Sequence, residues 1–233
     1  MDAATPDFVA GHSLGEYSAL VAANSLQFAD AVRLVQQRGQ FMQTAVPLGQ
    51  GGMAAVLGLE DDVVREICKK VSSGPELVQA ANYNAPGQVV IAGSNSALEQ
   101  AIEAMKDAGA RRALPLAVSA PFHSELMKPA ADKMAEVLAD ITIEVPAIKI
   151  IQNVDAQYCA DVETIRTNLV AQMYSAVLWT DTVQKLASDE VTVIVECGPG
   201  KVLSGLNKRI DKSLESYGLG SVDSLAATLE ALA

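Results

Sequence analysis

Histidine and cysteine are scarce in this chain, with two of the first and three of the second in 233 residues. Cys68, Cys159 and Cys197 have no C-x-x-C spacing, so the sequence offers no ligand set for a structural zinc cluster, and three reduced thiols are expected. Basic residues are also few. The 17 Lys and Arg stand against 28 Asp and Glu, for a formal net charge of −11, which argues against bulk attraction to nucleic acid or to an anionic membrane while leaving room for a local basic patch. Apolar runs are short and interrupted, and none approaches the roughly 18 residues of a membrane span. The acidic, polar N-terminus has no signal-peptide character, so a cytoplasmic location is expected. No repeat or low-complexity segment is present. What the chain does have is apolar residues, 50% of the total. That content opposes disorder, and the length allows one domain or a large domain carrying a small one.

Gly11-His12-Ser13-Leu14-Gly15 follows the short apolar run Asp7 to Ala10 and precedes a helical run from Ser18 to Ala23. A G-x-S-x-G turn between strand and helix exposes a serine hydroxyl at a helix N-terminus, where free N–H groups can stabilise an oxyanion. The pattern points to acyl transfer or ester hydrolysis, although an ordinary strand-to-helix turn has the same sequence.

Apolar positions at helical spacing predict a helix over 26–45, carrying Arg38 in its second half. A different rhythm then begins: strand 53–57, helix 61–71, strands 77–83 and 89–92, helix 96–108 and strand 113–118. This βαββαβ order is that of a ferredoxin-like unit. Helix 124–138, an extended piece at 148–151 and helices 162–172 and 180–187 follow. Thr192 to Val195 is almost wholly apolar, as a parallel strand covered on both faces would be. The expected fold class is α/β, with a ferredoxin-like small domain at 49–118 inserted into a larger α/β domain formed by 1–48 and 119–233.

A serine nucleophile needs a neutral imidazole to take its proton and return it to a leaving group. Taken alone, His123 reads first as a helix cap or surface histidine. With Ser13 in view and only His12 as a competitor, it becomes the candidate base, because adjacent side chains at a sharp turn point apart. Arg38 reads as a solvated helix residue, with a bidentate fork aimed at a carboxylate as the alternative. Glu196, at a strand end, is a candidate acid partner for His123 or simply a solvated carboxylate.

Five separated segments change those weights: Gly11 to Leu20, Gln37 to Gln43, Asn82 to Gly93, Ala120 to Ser124 and Glu196 to Leu203. Together they resemble the bacterial malonyl-CoA:acyl carrier protein transacylase family, over the whole chain. The resemblance implies an α/β-hydrolase-like acyltransferase domain, with the inserted unit as the family's small domain. It implies Ser13 as nucleophile and His123 as base, the ring oriented by the backbone carbonyl of Gln172, which demotes Glu196. It implies that Arg38 clamps the malonyl carboxylate, that Leu14 N–H is an oxyanion donor, and that Phe122 favours malonyl over branched substrates. Asn82 and Asn153 also fall in family motifs, expected near the pocket mouth. The implied partners are malonyl-CoA and an acyl carrier protein, with no prosthetic group and a coenzyme A thioester as substrate. A serine thioesterase or esterase, or a non-catalytic carrier-binding fragment, are the rival readings.

The carrier is acidic by the same resemblance, and Lys201, Lys208, Arg209 and Lys212 form the densest basic stretch, either a solvated helix face or a docking surface. The chain lacks the opening strand and the Phe-Pro-Gly-Gln-Gly-Ser-Gln loop of full-length members, whose glutamine supplies a second oxyanion donor. An N-terminal truncation is therefore expected, with a complementary N-terminal fragment as a further candidate partner.

Overall fold

The computed structural model describes residues 5–232. Strand β1 (Phe8–Ala10) turns sharply into helix α1 (Gly15–Ala22), and helix α2 (Phe28–Thr44) follows. The next run supplies β2 (Gly51–Leu57), α3 (Asp61–Val71), β3 (Val78–Ala85), β4 (Gln88–Ser94), α4 (Asn95–Asp107) and β5 (Arg112–Pro115). After a 3-10 turn at Glu125–Met127 come α5 (Lys128–Ala139), β6 (Lys149–Ile151), β7 (Tyr158–Cys159), α6 (Val162–Ala171) and α7 (Trp179–Ser188). The chain closes with β8 (Val193–Glu196), α8 (Val202–Ile210), β9 (Glu215–Gly218) and α9 (Val222–Ala231). This is a mixed α/β fold, and its strands form three sheets among the described residues.

The expected βαββαβ run folds as an antiparallel sheet in the order β3-β4-β2-β5. Side chains alternate across a strand, so each strand supplies two faces. Ala54, Val56, Val89 and Ile91 point toward Val64 and Cys68 of α3 and Ala101 and Met105 of α4. Their neighbours Met53, Val90 and Ala92 pack on the opposite face, where Phe122 joins them. Burial of each large side chain contributes about 1.5–3 kcal/mol, and the second face places the residue before His123. The strand expected over 113–118 ends at Pro115, opposite Ala54, with one further bond from Leu116 N–H to the Met53 carbonyl at 2.8 Å before the chain turns on itself, Val118 N–H donating to the Leu116 carbonyl at 2.9 Å.

The second sheet runs β1-β6-β7, with β1 parallel to β6 and Phe8 opposite Lys149. Its Ile150 meets Leu20 of α1, Leu34 of α2, Met134 and Leu138 of α5, and Ile165 and Leu169 of α6 in one core. Two parallel strands thus end side by side at Ala10 and Ile151, and the chain leaving each end can meet the other. The expectation for Thr192 to Val195 is corrected in part. The strand β8 is parallel, but its ladder partner is β9 in a separate two-stranded sheet, so its residues are only partly buried.

Candidate active site

The elbow is forced by a close approach. A Cβ on Gly11 would lie 1.9 Å from the Gly15 carbonyl carbon and 2.3 Å from Glu16 N, so only glycine lets α1 start this near to β1. Ser13 takes a left-handed φ of 51°, an uncommon conformation for a side-chain-bearing residue. Asn153, two residues past β6, holds it. Ser13 N–H donates to Asn153 Oδ1 at 2.6 Å, and Asn153 Nδ2 donates to the Gly11 carbonyl at 2.6 Å. Leu14 N–H has no hydrogen-bond acceptor among the described residues, and it sits at the free N-terminal end of α1, where backbone donors are unpaired. Asn153 is fully buried beneath the elbow, which corrects its expected place near a pocket mouth.

His123 meets the serine. Ser13 Oγ lies 2.7 Å from His123 Nε2, and His123 Nδ1 lies 2.7 Å from the Gln172 carbonyl oxygen. A carbonyl only accepts, so Nδ1 carries the proton and Nε2 presents its lone pair to the serine hydroxyl. His123 also has a positive φ, 58°. Its turn is tied by Ser124 Oγ, which donates to the Pro121 carbonyl at 2.6 Å. Gln79 of β3 adds a contact from the other sheet, accepting from Glu125 N–H at 3.0 Å. Burial, and then the positive charge of Arg38, push the imidazole down to about 3. It is neutral in the resting site. His12 turns away to Asn84 Oδ1, 2.8 Å from its Nε2.

Arg38 is not solvated. It is 6% exposed, because α2 packs against α1 and α5 through Leu34 and Met42 and carries Arg38 inward on the same face. Its Nη2 donates to Ser13 Oγ at 2.9 Å and to Gln172 Oε1 at 2.9 Å. The buried Nε has no partner, and no carboxylate pairs with the guanidinium among the described residues. A buried cation so placed lacks the neighbour it most favours. Gln172, the residue after α6, therefore serves twice, its carbonyl toward His123 and its side-chain oxygen toward Arg38.

Beneath these groups lies a carboxylate that sequence reasoning missed. Glu16 is wholly buried and accepts from Asn153 N–H at 2.9 Å, Gln172 Nε2 at 3.0 Å and Gln152 Nε2 at 3.2 Å. Burial raises its carboxyl to about 7 against the opposing pull of those donors and of Arg38. The available signal was an acid on the apolar first turn of α1, beside buried Tyr17 and Leu20. Glu196 is no partner of His123. Its carboxylate accepts from Leu203 N–H at 3.1 Å and Ser204 N–H at 2.8 Å, capping α8. Asn82 is buried on β3 and makes no hydrogen bond to Ser13, His123 or Arg38. Lys201, Lys208, Arg209 and Lys212 are all exposed around α8. Among the described residues, no cluster of three or more His, Cys, Asp or Glu could hold a metal ion, and no helix is long and apolar enough to cross a membrane.

An acyl transferase domain model matches residues 3–226. The malonyl CoA-acyl carrier protein transacylase of Haemophilus influenzae is 52% identical over 227 residues, covering 97% of this chain and 72% of the relative. The crystal structure of an acyl-carrier-protein S-malonyltransferase from Burkholderia pseudomallei superposes with a TM-score of 0.95 at 51% identity, covering 98% of this chain and 74% of that one. A type II polyketide synthase acyl-carrier protein in complex with its malonyl-transacylase gives a TM-score of 0.96 at 47% identity, covering 99% of this chain and 74% of that one. The expectation of an N-terminal truncation is withdrawn. The matches establish a shortfall in length, with the family model engaged from residue 3, and they do not assign a deletion to the N-terminus. With 52% identity to a relative of which it covers 72%, and a family model spanning nearly all of its length, the chain belongs to the acyl transferase family of malonyl CoA-acyl carrier protein transacylases.

Proposed function

We propose that this chain moves a malonyl group from malonyl-CoA to the phosphopantetheine thiol of an acyl carrier protein, through a malonyl ester on Ser13, in fatty acid biosynthesis. The observation that carries this reading is the buried guanidinium of Arg38, without a carboxylate partner among the described residues and 2.9 Å from the Oγ that attacks. In a malonyl ester a single methylene separates the free carboxylate from the reacting carbonyl. A cation next to Oγ is therefore within reach of that carboxylate, and an acetyl group leaves it unsatisfied.

Ser13 Oγ gives its proton to His123 Nε2 as it attacks the thioester carbonyl, and Leu14 N–H lies beside the developing oxyanion. Collapse breaks the carbon–sulfur bond, and His123 returns the proton to the departing thiolate of coenzyme A. In the second half, the carrier thiol gives its proton to Nε2 and attacks the ester carbonyl. The serine oxygen then leaves and takes that proton back. The Gln172 carbonyl holds Nδ1–H throughout and favours the imidazolium that forms twice. The charge of Arg38 opposes that imidazolium, and a substrate carboxylate paired with Arg38 offsets the opposition. The carboxylated acyl group thus strengthens its own base. No step calls for a prosthetic group.

A thioesterase has no use for a buried cation at the nucleophile, and a binding module has none for a serine and imidazole in hydrogen-bond contact. Residues 49–118 are read as a ferredoxin-like small domain, on the strength of the βαββαβ order and the strand order β3-β4-β2-β5. Residues 1–48 and 119–233 are read as the larger, α/β-hydrolase-like unit. Phe122, wedged against Met53 and Val90, is read as limiting the width of the acyl pocket, the exposed basic side chains around α8 as receiving the carrier, and the cytoplasm as the compartment. Arg38→Ala tests the central reading. Its kcat/KM for malonyl-CoA is expected to fall about a hundredfold or more relative to acetyl-CoA, as for a buried polar group left unpaired. An unchanged ratio in a folded variant overturns the clamp.

A further inference from the structure

We propose that Glu16 is a positioning residue that sets acyl selectivity, by fixing the side-chain amide of Gln172 and through it the guanidinium of Arg38. The inference rests on the reading of Arg38 as the carboxylate clamp and extends it one residue further from the substrate.

The geometry is a chain of donors and acceptors with one consistent direction. Gln172 Nε2 donates to Glu16 Oε2 at 3.0 Å and to the Ser13 carbonyl at 3.1 Å. The Ser13 carbonyl can only accept, and Glu16 Oε2 is kept as an acceptor by the Asn153 N–H that also donates to it at 2.9 Å, so the two hold the amide nitrogen on their side and turn Oε1 toward Arg38. There it accepts from Arg38 Nη2 at 2.9 Å. A flipped amide would aim N–H groups at the guanidinium and leave the Glu16 oxygen facing another oxygen. Arg38 has no carboxylate to anchor it among the described residues, and the same Nη2 reaches Ser13 Oγ. The position of the clamp over the nucleophile thus depends on the Gln172 amide, and the amide's orientation depends on Glu16.

The surroundings show why the residue is an acid. Glu16 lies at 0% exposure, where a lone carboxylate is costly unless donors surround it. Asn153 N–H and Gln152 Nε2 supply two more, at 2.9 and 3.2 Å. Gln152 is itself fixed, since its Oε1 accepts from Asn168 Nδ2 at 2.9 Å. Glu16 therefore gathers the ends of three elements that carry the site: α1 with Ser13, the segment after β6 with Asn153, and the end of α6 with Gln172.

Two substitutions at Glu16 separate positioning from packing. In Glu16→Gln the remaining oxygen can occupy the Oε2 place, still accepting from Asn153 N–H and Gln172 Nε2. The new NH2 then faces Gln152, whose amide must turn and give up Asn168. Glu16→Ala removes the acceptor from Gln172 altogether. The readout is the ratio of kcat/KM for malonyl-CoA to that for acetyl-CoA, both measured by transfer to a pantetheine thiol, beside thermal unfolding. In Glu16→Ala the ratio is expected to fall about tenfold, the worth of one lost charge-assisted hydrogen bond. In Glu16→Gln it is expected to stay within about threefold of the unaltered protein although Tm drops, because the disturbance lies at Gln152.

Gln172→Met, which keeps the backbone carbonyl for His123, is expected to lower the ratio as Glu16→Ala does, and it serves if Glu16→Ala does not fold. Adding Glu16→Ala, or Gln172→Met in its place, to Arg38→Ala is expected to change the ratio no further. A fall of both substrates together in Glu16→Ala and Gln172→Met, with the ratio intact, makes Glu16 merely structural and overturns the inference. So does a ratio in Glu16→Gln as low as in Glu16→Ala. An unchanged ratio in Arg38→Ala alone instead overturns the clamp itself, and is thereby distinguishable.

Discussion

Ser13 and His123 each sit at a positive φ, 51° and 58°, and each is held there by hydrogen bonds from other parts of the chain. Such strain persists only where the surroundings over-determine it. The imidazole is tuned in the same way. The base role proposed for His123 needs a neutral ring before reaction, and an imidazole pushed down to about 3 stays neutral as pH falls through the ordinary histidine range. The sign follows directly: a lowered pKa moves the acid loss of activity to lower pH. The kcat/KM for malonyl-CoA, which reports the free enzyme, is expected to show no histidine limb near about 6.5, the unperturbed value. Glu16 titrates at about 7, so the profile is best taken in Glu16→Gln, where that group is gone. A limb near about 6.5 that persists there would assign His123 an ordinary pKa and contradict the burial account. At this scale Ser13 was legible from the glycines on either side, and His123 from the scarcity of rivals. Arg38 was not. Its burial depends on where α2 packs, and the local sequence Gln36-Gln37-Arg38-Gly39-Gln40 reads as a polar helix face. Glu16 was invisible for the same reason: its three donors come from residues more than a hundred positions away.

Secondary-structure elements were legible where their pattern was long. The run from β2 to β5 follows the alternating and helical periods that mark its strands and helices, because one side of each element is buried and the other is not. The strands β7 and β9 and the helix α9 escaped notice, and α8 was read only as one of two accounts of its basic residues. A two-residue strand such as Tyr158–Cys159 has no period to detect, and β9 exists through its pairing with β8, a long-range fact. The extent of β5 was misjudged beyond Pro115, where Val118 N–H bonds back to the Leu116 carbonyl and the chain turns out of the sheet. The sharpest consequence lies in the elbow between β1 and α1. Gly11→Ala places a methyl carbon against Gly15 and Glu16 backbone atoms, which cannot yield as a flexible side chain would. It is expected to destabilise the fold by about 2 kcal/mol or more in denaturant unfolding and to abolish acylation of Ser13. Gly15→Ala meets nothing within 4 Å, and as a helical position it gains from alanine. It is expected to be neutral or stabilising by up to about 1 kcal/mol. Equal effects from the two substitutions would show that the close approach does not govern the turn.

Across the whole molecule, two sheets meet at the site without sharing a strand. One supplies β1 and β6, whose parallel ends set Ser13 against Asn153. The other supplies the face on which Phe122 packs and the Gln79 contact that ties the turn after His123. Ser13 and His123 therefore come from parts of the chain tied to different sheets, 110 residues apart in sequence and 2.7 Å apart in space. The net charge of −11 does not decide how an acidic partner is met, since the exposed basic groups near α8 are local. What holds the functional account together is a covalent intermediate on one serine. The most direct measurement is the intact mass of the purified protein after incubation with malonyl-CoA, beside Ser13→Ala treated identically. The account predicts one added malonyl group in the first and none in the second, with the group lost again when a pantetheine thiol is supplied. A folded protein that acquires no adduct, or a Ser13→Ala variant that acquires the same one, would contradict it.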